Sequence, residues 1–131
     1  MTLIQKSVVT ALGGVLVGAL GATLLQAQTP KPAPGYVIAE FTVKDQDGFR
    51  EYGQRVPATI TQHGGRFMVR GGKVEGVKGD APKGLVAVLA FDSVEQARKW
   101  ASSSEYAELV PIRDKAADSR IFVIEGVVPA P

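Results

Sequence analysis

Four short runs of β-branched, aromatic and aliphatic residues constrain this chain more than any other feature in it. They are YVIAEFTV (36–43), RFMVR (66–70), LVAVLAF (85–91) and RIFVIEGV (120–127). Each is too short for a typical helix and suits a pleated, half-buried surface. What separates them is as informative. The first and third intervals carry helical periodicity, and the second does not.

In the first interval Asp45 or Asp47 can accept a hydrogen bond from an orphan amide and so open a helix. Phe49, Tyr52, Val56 and Ile60 then recur at spacings of three and four, which is one helical face. Pro57 sits inside this stripe. An interior proline removes a hydrogen bond and costs about 3 kcal/mol, so the spacing predicts a kink or two helical pieces. Gly64 is placed to end the helix in the left-handed conformation. Gly71-Gly72 end the second strand, and the polar stretch GKVEGVKGDAPKG reads as a long hairpin loop. The continuous apolar run LVAVLAF predicts a central strand buried on both faces. Ser93 and Gln96 have capping-box spacing and open a helix that should bury Val94, Ala97, Trp100 and Ala101. The serines at 102–104 break or re-cap it. Tyr106, Leu109, Val110 and Arg113 continue on a second piece, bent at Pro111. In the last strand Ile121 and Val123 take one face, Phe122 and Ile124 the other.

The order is β-α-β-β-α-β. It predicts an α+β, ferredoxin-like domain: a four-stranded antiparallel sheet with two helices on one face. The strands are apolar on both faces, so the uncovered side should meet a second copy in a twofold homodimer.

Ahead of this domain lies a different kind of sequence. Lys6 is the only charge before Lys31, and SVVTALGGVLVGALGATLLQA lies between them. A basic start, an apolar stretch and a small terminal residue read as a secretory signal peptide over residues 1–27, cut after Ala27. The alternative is a retained anchor helix, since roughly 20 apolar residues span a bilayer. Gly14 and Gly18 have the spacing that can pair helices in lipid. Either way a bacterial export signal places the domain outside the cytoplasm, periplasmic or secreted, or else membrane-anchored. Residues 28–35 form a proline-rich linker, and the folded domain is expected over 36–128.

Composition narrows the functions. With 15 basic and 13 acidic residues the formal charge is +2, and the cations are scattered, so there is no footprint for nucleic acid. The chain has no cysteine and one histidine, which argues against a zinc site and leaves no thiol nucleophile. No cofactor is implied.

The run HGGRFMVRGG, the segment FDSVEQARKWASSSEYAELVPIRDKAA and the closing VIEGV resemble the DUF1330 family, over roughly residues 36–127. That resemblance implies a dimeric α/β-barrel domain of ferredoxin-like fold with a pocket between sheet and helices. The same superfamily includes cofactor-free monooxygenases, lactone isomerases, heme-binding relatives and plain binding modules. It therefore implies no single reaction. This chain departs from the family pattern at Ala101, where a tyrosine is common, and at Ser104, where a proline is common.

Six residues are candidates for a site. His63 ends a helix, where it can satisfy a free carbonyl, or it acts as a general base at a pocket mouth. Arg70, at a strand end, and Arg113, on the second helix, can each hold a carboxylate bidentately or form an ion pair with Glu75, Glu105, Glu108 or Asp114. Tyr52, Trp100 and Tyr106 are helical-stripe aromatics, which are usually core, with polar ends that can line a cavity. Tyr52 is the first choice among them. The leading expectation is a binding domain for a small apolar or aromatic-acid ligand. The alternative is a cofactor-independent monooxygenase or isomerase with His63 as base. A heme-binding version would have only His63 as a nitrogen ligand.

Overall fold

The computed structural model describes residues 30–131, together with Gly13 and Gly14. The segment read as a signal or anchor otherwise lies outside the described residues. The unit Lys31–Pro131 is built in the order β1 (Gly35–Val43), α1 (Gln46–Gln62), β2 (Arg66–Arg70), β3 (Leu85–Phe91), α2 (Val94–Ala101), α3 (Ser104–Ala107), α4 (Val110–Ala116) and β4 (Ala117–Glu125). The sheet order is β2-β3-β1-β4, and every pairing is antiparallel. This is the expected ferredoxin-like arrangement, except that the second helical layer comes as three short helices.

Local chemistry sets the boundaries. Asp45 caps α1, its carboxylate accepting from the amides of Asp47 and Gly48 at 3.2 and 3.3 Å. At the other end Gly65 N–H reaches Ile60 O and Gly64 N–H reaches Thr61 O, at 2.9 and 3.0 Å. That pair of bonds is the Schellman closure, and it needs Gly64 at φ 75°. Gly71, at φ 69°, turns the chain out of β2 in the same way. Ser93 caps α2 by accepting from Gln96 N–H at 3.1 Å. The box is half-made, because Gln96 Oε1 is buried without a partner. Ser103 re-caps the chain by accepting from Tyr106 N–H at 3.2 Å.

Three expectations are corrected. Helix α1 runs unbroken through Pro57 and is not two pieces. β3 is central in the sheet, but only its end, Leu89 to Phe91, is buried, while Leu85 is 40 % exposed. Leu85 opens onto the unfilled cleft beneath α1, and on the far face Val86 and Val88 are only half-buried among the described residues. Ala101 is exposed, since α2 ends there and Ser102 caps it.

The core lies between sheet and helices. Val37, Ala39 and Phe41 of β1 face it, with Leu89 of β3 and Tyr52, Val56 and Ile60 of α1. Trp100 of α2 is 2 % exposed and fills its centre. Helix α1 packs beside α4, and α2 lies over β1, β3 and β4. On the opposite face the register aligns Tyr36, Ile38 and Glu40 with Ala90, Val88 and Val86 on one side and with Ile124, Phe122 and Arg120 on the other. Phe122 is 41 % and Ile124 is 50 % exposed, so this face is largely apolar. Arg120 grips Glu40 on this face through Nε and Nη2 at 2.9 and 3.0 Å, and Asp118 further along β4 pairs with Lys44 at 3.1 Å.

Candidate functional site

Between α1 and the β2–β3 side of the sheet lies a cleft of about 340 Å³. The helix turns Phe49, Tyr52, Gly53 and Val56 toward it, which are positions i, i+3, i+4 and i+7. Phe41, Phe67, Leu85 and Ala87 supply the sheet side. Three rings form one wall: Phe41 lies 5.1 Å from Phe49 and 5.9 Å from Tyr52, centroid to centroid. Gly53 lines the cleft beside open space, where a Cβ would meet nothing within 4 Å. The exposed rim carries Arg50, Gln54 and Arg70. Among the described residues no aspartate or glutamate lines it.

Behind Tyr52 is a second, smaller void of about 40 Å³, lined entirely by apolar and aromatic residues that include Trp100 and Tyr106. Here the sequence candidates meet. Tyr52 Oη and Tyr106 Oη are 3.0 Å apart, and Arg113 Nη1 donates to Tyr106 Oη at 2.9 Å. Asp114 accepts from the same guanidinium at 2.9 and 3.0 Å. Trp100 stacks on Tyr106 at 4.2 Å, and its indole N–H donates to Thr59 Oγ1 at 3.0 Å. Thr59 Oγ1 in turn donates to Val56 O at 2.8 Å. A chain of polar atoms thus runs from the surface at Asp114 to the cleft wall at Tyr52.

Burial, and then the neighbouring Tyr106, pushes the Tyr52 hydroxyl far above the ordinary tyrosine value, against the opposing pull of Arg113. At neutral pH Tyr52 is a neutral hydrogen-bonding group and a poor base. Burial pulls the Arg113 guanidinium down, but Tyr106 and Asp114 outweigh it and hold it up, so Arg113 stays charged.

Arg70 and His63 stand apart from this chain. Arg70 Nη2 donates to Gly53 O at 2.7 Å, and its Cζ lies 4.6 Å from the Phe67 ring centroid. It thereby spans the gap between β2 and α1 at the cleft rim. His63 is the C-cap of α1, with Nδ1 2.9 Å from Thr59 O. A carbonyl only accepts, so Nδ1 carries the proton in that bond. His63 is not among the residues lining the cleft.

Sequence reasoning missed Gly53, Arg50, Phe67 and Thr59. Gly53 had a signal: it stands four residues before Pro57, the position whose carbonyl a helical proline leaves without a donor. The others had none.

Fold and site together define an α+β ferredoxin-like domain with one apolar, cation-rimmed cleft under its first helix. The chain belongs to the DUF1330 family, a domain of unknown function, whose model matches residues 34–127. No curated protein matches it. Among solved structures it is similar to the RPA0582 protein of unknown function from Rhodopseudomonas palustris, at TM-score 0.59 and 16% identity, covering 84% of this chain and 95% of that one. It is also similar to SnoaB, a cofactor-independent oxygenase from Streptomyces nogalater, at TM-score 0.51 and 13% identity, covering 76% and 98%. An Arabidopsis thaliana protein solved in solution gives TM-score 0.55 at 14% identity, covering 81% and 96%. At these identities the likeness is one of fold.

Proposed function

We propose that this DUF1330 domain is an exported, homodimeric binding module for a small apolar ligand, held in the cleft between α1 and the sheet. One observation carries the binding role: a cavity of about 340 Å³ walled by Phe41, Phe49 and Phe67 that the described side chains leave unfilled. That volume lies within the usual range for small-molecule sites, roughly 300–1,000 Å³. Titration of the full chain with a panel of single-ring and short-chain apolar compounds, followed by chemical shifts of the cleft residues, tests it. Shifts should concentrate on α1, β2 and β3; a panel that moves none of them removes the reading.

The apolar outer sheet face supports pairing with a second copy. The basic start and apolar stretch of residues 1–27 support export. Mass spectrometry of the protein recovered from its host should give an N-terminus at Gln28. An intact Met1 would favour the retained anchor instead.

A second reading is a cofactor-independent monooxygenase or isomerase. The likeness of fold to the Streptomyces nogalater oxygenase favours it at the level of architecture. It makes His63 the base, and that residue is occupied in ending α1. Turnover that His63→Ala abolishes while the fold survives would favour this reading over simple binding.

A further inference from the structure

Pro57 and Arg70 act on the same atom. Proline has no amide hydrogen, so Gly53 O, four residues earlier in α1, has no helical donor. Arg70 Nη2 supplies the missing donor at 2.7 Å. The guanidinium is pinned at that corner and rests against Phe67. One N–H of its five serves Gly53, and the fork has more than one edge. Among the described residues Arg70 has no carboxylate partner, whereas Arg50 pairs with Asp47 at 3.1 Å, Arg113 with Asp114 at 2.9 Å and Arg120 with Glu40 at 2.9 Å. The cleft it overlooks is apolar and has no lining acid among the described residues.

Building on the binding role proposed above, we propose that Arg70 is an anion anchor and that the cleft selects apolar monocarboxylates. The ring or short chain lies against Phe41, Phe49 and Phe67, and the carboxylate takes the free edge of the guanidinium. A planar carboxylate fits that fork. The charge count fits a monoanion: the rim has two cations, and Asp47 already neutralises Arg50. Pro57 is a positioning residue. It keeps Gly53 O available, and Gly53 O keeps Arg70 turned across the rim.

The test compares phenylacetate with its neutral isostere phenylacetamide, titrated calorimetrically into the full chain. Phenylacetate should bind at least roughly tenfold more tightly, the usual scale for a hydrogen bond to a charged group. Arg70→Met should abolish that preference, so that phenylacetate binds no more tightly than phenylacetamide. Pro57→Ala returns an N–H to Gly53 O and should lower the preference several-fold in a helix that is no less stable. Equal binding of acid and amide by the unaltered chain overturns the anchor and leaves the cleft as an apolar site. Binding of neither overturns the cleft reading, and the anchor with it. If Arg70→Met does not fold, Pro57→Ala decides: an unchanged preference there overturns the positioning role, and a reduced one supports it.

Discussion

At the scale of single residues, the polar groups in the core work as a connected set. Thr59 accepts from the Trp100 indole and donates to Val56 O, and its own carbonyl meets His63. Thr59→Val keeps the shape and strands a buried N–H. It should cost about 1–3 kcal/mol, read as a lower urea midpoint. Tyr52 makes a pH prediction. Its native value is raised, so above about pH 10 the unfolded chain loses this proton while the folded one retains it. Its contribution is therefore complete below about pH 10 and is lost as pH rises beyond it. Tyr52→Phe removes one hydrogen bond, about 0.5–1.5 kcal/mol at neutral pH, and should flatten the alkaline loss of stability in urea melts. His63 was chemically ambiguous as a letter. Only the closing geometry of α1 shows its ring on a carbonyl. Thr59 was illegible, because a lone threonine on a helix has no spacing that marks it as a hub.

At the scale of elements, α1 holds both the best and the poorest legibility. Its end at Gly64 follows from local rules, and so does its cap to within two candidates, of which Asp45 is the one that accepts the bonds. Its continuity through Pro57 does not follow. The rule counts the bond a proline removes and cannot see a donor arriving from Arg70, 17 residues beyond the Gly53 carbonyl it serves. The same helix gives an unusual prediction. Gly53→Ala should stabilise α1 by about 0.5–1 kcal/mol and, by narrowing the cleft, weaken ligand binding. Thermal melts and titration of the same variant would show whether the two effects part. Stabilisation with unchanged affinity would mean the ligand does not sit against this turn of the helix.

At the scale of the whole molecule, the fold was legible because two periodicities, near 2 and 3.6, alternate along the chain in an order few topologies satisfy. The cleft was not legible. It depends on small residues, Gly53 and Ala87, coming together from separate elements around a gap, and no local pattern records that. The proposed dimer is testable at this scale. Ile124→Glu puts a charge on the outer sheet face and should give a folded monomer by sedimentation equilibrium where the parent chain is dimeric. A parent chain that sediments as a monomer at micromolar concentration removes the twofold assembly. One detail of β2 bears on how copies can meet at all. The strand is a sheet border of five residues, its register slips between Phe67 and Val69, and an arginine stands at each end. Shortness, a bulge and flanking cations are the devices by which an open border resists accepting a foreign strand. Growth into fibrils by strand addition is therefore disfavoured along that border.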